Sequence, residues 1–302
     1  MAHHHAGMSL LAESFPGLLE PEKFHDMHNK LGYRWIYQPS DPCPNGQEGC
    51  RLCRGDKKRT GHHARSIARD TIELTSRRRQ DGKPDALPHR WRTTPAELRA
   101  DGQLLTDGTD YRLDGRVITW LSSAVPPGAA YTVRYEAYAE DWMHAMHAQM
   151  DFAGGGRMAE RAQNLKFAYL EQGHIAVSVP SYSRAYGMKE GDRLIPADGE
   201  MTFTQTLDTT SGDTKGRHRF VTSVVGAYGL NKSGTQEVSV PVAWDAQTRS
   251  FVMPPGELPE RVVVTYRAAP IYVAYLDQGE FRSPMSQAHS RLIVLSREEI
   301  SR

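Results

Sequence analysis

The stretch "LLTDGTDYRLDGRVITWLSSAVPPGAAYTVRYEA" (residues 104–137) predicts short β-strands joined by tight turns. In "YTVRYEAYA" (131–139), aromatic and β-branched residues alternate with others, which is the pattern of a half-buried strand. "LDG" (113–115) stands between "TDYR" and "RVITW", and Asp-Gly suits a turn that needs a positive φ angle. The stretch therefore predicts a β-hairpin followed by a long strand.

Stretches with the same strand-like pattern recur from residue 174 towards the C-terminus. They are "HIAVSVPSYS" (174–183), "MTFTQTL" (201–207), "RFVTSVVGAYGL" (219–230), "QEVSVPVAW" (236–244), "RVVVTYRAAPIYVAYL" (261–276) and "SRLIVLS" (290–296). There is also an internal echo, because residues 120–142 and 251–275 both run from a strand through Pro-Pro-Gly into a long strand with a central tyrosine. The echo indicates either two related modules or one common turn used twice. The predicted fold class is mainly β, with two sandwich- or barrel-like β modules.

The order of helix-like, loop-like and strand-like sequence along the chain predicts five segments. Residues 1–31 form an N-terminal arm with short helices, broken by Pro16 and Pro21. Residues 32–99 form a cysteine-loop region, in which 64–79 fits a helix or a strand equally well. The remaining segments are a first β module (100–143), an irregular or helical connector (144–175) and a C-terminal β module (176–302).

Composition limits the class of protein. The chain has 302 residues, of which 39% are hydrophobic and 24% charged, as in ordinary globular proteins. Its net charge of +1 argues against binding a polyanion with the whole surface. No apolar run approaches the length of a membrane helix, and the N-terminus lacks the apolar core of a secretory signal, so neither is expected.

All three cysteines lie in "DPCPNGQEGCRLCRG" (41–55). Cys50 and Cys53 have the C-x-x-C spacing of a metal knuckle, and Cys43 precedes them in a loop rich in glycine and proline. A closed tetrahedral site needs a fourth ligand, for which His62 and His63 are the candidates. The pattern predicts a structural zinc site that staples the N-terminal region, with an iron–sulfur cluster as the second choice. A C-x-x-C redox pair or a disulfide from Cys43 remain the alternatives.

Basic residues concentrate between positions 51 and 92. The candidate contact patch for phosphates or for an acidic protein contains Arg54, Lys57, Lys58, Arg59, Arg77, Arg78 and Arg79. His89-Arg90-Trp91 adds a basic aromatic stretch that suits base stacking or, more often, a protein interface. No recognised nucleic-acid motif, nucleotide fingerprint or catalytic motif accompanies them, so no catalytic residue is predicted.

Taken together, these motifs resemble virion structural proteins of tailed bacteriophages, in particular neck, collar or tail-associated proteins of contractile-tailed phages. The resemblance lies in the cysteine loop after "YRWIYQP" (33–39), in the D-G-x-D-Y … I-x-W … P-P-G-x-x-Y-x-V-x-Y pattern of 107–135, and in "LPERVVVTYRAAPIYVAY" (258–275). It implies a non-enzymatic assembly part, present in several copies around a ring or tube axis. This chain departs from the expected pattern by having three cysteines where a knuckle has four.

The resemblance leads to one main functional hypothesis. The chain is expected to join or decorate the head–tail neck or the tail of a virion that assembles in the host cytoplasm. Its expected partners are other virion proteins, on the portal or adaptor side or on the tube or sheath side, together with further copies of itself in a ring. A zinc-stapled nucleic-acid-binding protein is the alternative, with nucleic acid the less favoured partner. A hydrolase with a carboxylate pair is a third hypothesis.

Overall fold

The computed structural model describes residues 32–41, 63–147, 174–212, 214–230, 237–256, 258–282 and 288–297. Within these ranges the chain is mainly β, as predicted, and only Arg184–Gly187 form a helix, of the 3₁₀ type. No helix in these ranges has the length and apolar character needed to cross a bilayer. The helices predicted for 1–31 lie outside the described residues.

The strands are numbered here in chain order. They are β1 (Tyr33–Gln38), β2 (Ser40–Asp41), β3 (His63–Ala64), β4 (Arg69–Arg77), β5 (Asp85–Ala86), β6 (Glu97–Ala100), β7 (Gln103–Leu104), β8 (Tyr111–Asp114), β9 (Val117–Trp120), β10 (Ala130–Tyr138), β11 (Glu140–His147), β12 (His174–Pro180), β13 (Arg193–Pro196), β14 (Met201–Asp208), β15 (Val221–Leu230), β16 (Glu237–Ser239), β17 (Ala243–Asp245), β18 (Ser250–Val252), β19 (Arg261–Ala268), β20 (Tyr272–Arg282) and β21 (Ala288–Arg297).

These elements belong to two compact units. The first unit comprises residues 1–68, 139–195 and 271–302, and the second comprises 69–138 and 196–270. The chain therefore leaves the first unit twice and returns to it twice. In sequence terms, the second unit consists of two insertions into the first.

The first unit contains a closed barrel of six strands in the order β1-β11-β12-β21-β20-β13. Alternation in "HIAVSVP" turns Ile175, Val177 and Val179 to one face of β12, where they are buried. Trp35 on β1 and Leu194 on β13 join them in the barrel core. Residues 144–147, which the sequence analysis placed in the connector, continue strand β11.

The first part of the second unit is a repeat over residues 69–138. Its main sheet has the order β4-β10-β6-β7, and a smaller sheet has the order β5-β9-β8. The hairpin predicted at "LDG" is confirmed as β8–β9, where Gly115 has a φ of +54°. The alternation predicted for β10 is also confirmed, since Tyr131, Val133 and Tyr135 are buried. The main sheet joins residues from both predicted segments 32–99 and 100–143.

The second part, residues 201–269, repeats this arrangement. Its main sheet has the order β14-β19-β15-β16, and its hairpin is β17–β18. Tyr135 on β10 pairs with Ile72 on β4, and Tyr266 on β19 correspondingly pairs with Phe203 on β14. The echo around the two Pro-Pro-Gly turns is therefore part of a longer structural repeat.

Strand β4 settles the ambiguity of residues 64–79 in favour of a strand. It lies at the edge of its sheet, and its residues alternate between exposed and half-buried. An edge strand with charges on both faces lacks a clear hydrophobic period, and that is why sequence alone could not assign it.

Candidate functional site

The two ends of the cysteine-bearing segment, residues 42–62, meet at one place in the first unit. Strands β2 and β3 pair there, with Ser40 opposite Ala64 and Asp41 opposite His63. The Arg65 amide donates to the Pro39 carbonyl at 2.9 Å, which extends the pairing. We call residues 38–41 and 63–65 the stem. The stem fixes where the cysteine segment leaves the barrel and where it returns.

A buried carboxylate holds the stem. Asp192 is 2% exposed and precedes β13. Its Oδ1 accepts hydrogen bonds from the Ser40 amide at 2.7 Å and from the Ser40 hydroxyl at 2.8 Å. Its Oδ2 accepts from the Tyr37 hydroxyl at 2.7 Å and from the Lys189 amide at 2.9 Å. Four donors on one carboxyl group explain how this polar side chain is tolerated in a buried position next to β13.

A small cavity of about 200 Å³ lies beside the stem. Its mainly apolar lining includes Tyr37, Pro39, Ser66, Asp141 and Arg184. Asp141 Oδ2 accepts from the Arg184 amide at 2.8 Å, and the Arg184 guanidinium lies 3.9 Å from Asp141 Oδ1. Asp141 and Arg184 therefore interact with each other within the lining of the cavity.

The predicted metal ligands Cys43, Cys50, Cys53 and His62 lie outside the described residues. Of His63, the structure describes the main chain, which pairs with Asp41 at the stem. In the part of the chain that the structure does describe, no three His, Cys, Asp or Glu side chains come together as a metal site. The zinc site and its iron–sulfur alternative therefore stay predictions.

The predicted basic patch is described only at Arg77, Arg78 and Arg79, because Arg54, Lys57, Lys58 and Arg59 lie in the cysteine segment. Arg77 is exposed at the end of β4. Arg78 turns inward, donates to the Ser122 carbonyl at 3.1 Å and lies over the Trp120 ring. Arg79 forms a two-pronged pair with Asp81, and this hydrogen bonding lowers the pKa of Asp81 to about 2. Two of these three cations are therefore already engaged within the protein.

The stretch His89-Arg90-Trp91 connects the two repeats of the second unit. Trp91 Nε1 donates to the Ala197 carbonyl at 2.9 Å, and the indole packs edge-on against Phe220 with ring centroids 5.0 Å apart. The interface that this stretch suggested is therefore an internal one. Sequence reasoning overlooked that His218-Arg219-Phe220 is its counterpart in the second repeat.

Glu200 forms ion pairs that also hold the two repeats of the second unit together. Its carboxylate accepts from the Thr222 hydroxyl at 3.0 Å and lies 3.3 Å from Arg90 and 3.4 Å from Arg267. The Thr222 hydrogen bond and the two guanidinium groups lower the pKa of Glu200. The carboxylate therefore stays ionised and keeps linking the two repeats in mildly acidic solution.

Each repeat also contains a histidine–tyrosine pair that sequence reasoning did not predict. His89 Nδ1 lies 3.1 Å from the Tyr135 hydroxyl, and His218 Nδ1 lies 2.8 Å from the Tyr266 hydroxyl. His218 is buried and stacks on Phe203 at a centroid distance of 3.9 Å. These hydrogen bonds satisfy polar atoms in the cores, so the pairs have a packing role.

The described residues thus present a pinned stem, an apolar cavity beside it and two similar β modules. A scan against models of protein families and a search among curated proteins both found no match to this chain.

Proposed function

We propose that this chain is a structural component of a tailed-phage virion, which joins or decorates the head–tail neck or the tail through contacts between many protein copies. The proposal begins from the resemblance carried by residues 33–55, 107–135 and 258–275. It is supported by the repeated β-sheets, which end in edge strands of the kind that can pair with another subunit.

The observation that carries the proposal is the stem. A segment that must hold a fixed position in an assembly needs fixed ends, and Asp192 fixes the end that precedes this segment through Ser40 and Tyr37. Main-chain pairing between β2 and β3 adds a second constraint. An enzyme would instead need reactive side chains brought together, whereas the polar groups described around the stem hold one another in place.

The proposal includes a metal in the cysteine segment. Cys43, Cys50, Cys53 and either His62 or His63 would bind a structural zinc ion, with an iron–sulfur cluster as the alternative. A bound ion would supply the cross-links that a short segment with little core of its own lacks. The sandwich- or barrel-like modules and this cysteine knuckle together form the proposed design.

In such a design the partners are other virion proteins and further copies of this chain in a ring. Repeated β modules favour this role because their sheets offer edges and flat faces for contacts between subunits. The alternative of a nucleic-acid-binding protein draws less support, since Arg78 and Arg79 are engaged inside their own repeat.

Two measurements test the proposal. Gold-labelled antibodies against the chain should decorate intact phage particles at the neck or tail, and absence of the chain from purified particles would overturn it. Elemental analysis of the purified protein should find about one zinc per chain, with no absorbance between about 300 and 500 nm. Iron with a brown absorbance would indicate a cluster, and absence of any metal under reducing conditions would remove the metal from the proposal.

A further inference from the structure

We infer that strand β14 is the place where two copies of this chain join, by antiparallel pairing of β14 with β14. The inference rests on the proposed function, because it names one surface through which two copies join within the multi-copy assembly. It starts from a difference between two strands that hold the same place in the two repeats.

Strands β4 and β14 are equivalent edge strands. Each begins the strand order of its main sheet, and each pairs with the central strand that carries the buried tyrosine. Strand β4 contains Arg69, Asp70, Glu73 and Arg77, and charges on an edge strand discourage pairing with another chain. In β14 the only charged residue is Asp208, at the last position.

The Asp208 carboxylate is itself hydrogen-bonded within the turn that follows β14. Its Oδ1 accepts from the Thr210 amide at 2.9 Å and from the Thr210 hydroxyl at 2.6 Å. Hydrogen bonding to Thr210 lowers the pKa of Asp208, so the charge stays in that turn. The strand from Thr202 to Leu207 is consequently neutral.

The geometry of β14 also suits an added strand. Its pairing with β19 runs from Met201 to Asp208 without a register shift, whereas β15 on the other side of β19 is shifted twice. β14 contains no proline. Charge, proline and bulges are among the devices that protect edges, and β14 has none of these three between Thr202 and Leu207.

The side-chain pattern identifies a second copy as the occupant. Thr202, Thr204 and Thr206 are exposed on one face of β14, and Phe203, Gln205 and Leu207 are buried on the other, where the Gln205 amide is hydrogen-bonded to the Lys215 carbonyl and the Arg217 amide. Two such strands that pair antiparallel about Gln205 place Thr204 opposite Thr206 and Phe203 opposite Leu207, with Gln205 opposite its own copy. The contact is the same surface on both copies, so it closes as a two-fold pair without placing like charges together.

The test uses the full chain and measures its self-association by sedimentation velocity over a concentration series. We expect the wild-type protein to form dimers and Thr206→Lys to weaken the dimer at least tenfold. Thr75→Lys is the matched control, since Thr75 in β4 corresponds to Thr206 in β14, and it should leave the association unchanged. Equal thermal stability of both variants shows that Thr206→Lys does not act by unfolding.

Hydrogen exchange provides a second measurement on the unaltered protein. Amides of residues 202–207 should gain protection as the concentration rises through the dimer range. A wild-type chain that stays monomeric, or dimers that respond equally to both variants, would overturn the inference. Capture of a different strand by a monomeric chain, seen as protection of β14 only in assembled particles, would overturn it in favour of a heterologous partner. Virion labelling is read separately, so its failure would overturn the proposed function while the dimer could still stand.

Discussion

Replacing Asp192 is the sharpest test of how the cysteine segment is held. Asp192→Ala removes one carboxylate that accepts four hydrogen bonds, two from main-chain amides and two from hydroxyls. The hydroxyls of Tyr37 and Ser40 can turn to other partners. The amides of Ser40 and Lys189 cannot turn unless the backbone moves. Their unpaired N–H groups therefore account for most of the loss in the free energy of unfolding.

The magnitude follows from these two amides. A buried donor left without an acceptor costs about 1–3 kcal/mol, and some water will reach this partly buried site. We therefore expect Asp192→Ala to lower the free energy of unfolding by about 2–4 kcal/mol. Asp192→Asn keeps one acceptor oxygen and should cost about half as much, roughly 1–2 kcal/mol.

Urea unfolding measures the global loss, and hydrogen exchange of residues 32–41 and 63–68 measures the local one. Asp198→Ala is the control, because Asp198 forms an exposed ion pair with Arg116 at 3.0 Å that should contribute at most about 1 kcal/mol. The reasoning fails if Asp192→Ala costs no more than Asp198→Ala while exchange in the stem is unchanged.

Three further predictions concern the metal, the pH response and the packing. Cys50→Ser should remove a ligand of the proposed zinc and speed hydrogen exchange in the stem while the repeats keep their thermal stability; equal unfolding of stem and repeats in wild type and variant would contradict this. Burial raises the pKa of Tyr131 from 10.0 to about 12, so the folded state favours the neutral phenol. Stability should fall as pH rises from 10 to 12, and Tyr131→Phe should remove that part of the loss in a pH series of urea titrations. Gly216→Ala would place a methyl group 2.5 Å from Trp244 and should cost about 1–3 kcal/mol, whereas Gly226→Ala, whose methyl group meets no other atom within 4 Å, should unfold at nearly the wild-type urea concentration.

The parts of the fold that sequence predicted are those with local information. The hairpin at "LDG" and the strand at 131–138 follow from turn chemistry and alternation over a few residues, and the structure has both. Strand β4 could not be assigned because an edge strand with one half-buried face carries little hydrophobic period. Local patterns therefore predicted strands with a clear alternation, including the edge strand β14, better than the charge-rich edge strand β4.

The candidate site depends on contacts that local patterns do not encode. Asp192 stands in "KEGDRLIP" like any acidic loop residue, and its partner Ser40 lies 152 residues away. The histidine–tyrosine pairs likewise join positions far apart in the chain. Their one available signal was the recurrence of His-Arg-aromatic at 89–91 and 218–220, which extends the Pro-Pro-Gly echo into a full repeat.

The two insertions into the first unit have a consequence for the order of synthesis. Each repeat is one uninterrupted stretch, so its sheet can form as soon as that stretch has left the ribosome. The barrel instead needs β21 and β20, which follow the second repeat in the chain, to pair with β12 and β13. Strands β1, β11 and β12 therefore lack β20 and β21 while the second repeat is being synthesised. A chain truncated near residue 270 would leave their apolar faces exposed. Barrel closure is thus the late, vulnerable step, at which a chaperone or an early partner subunit would have most effect.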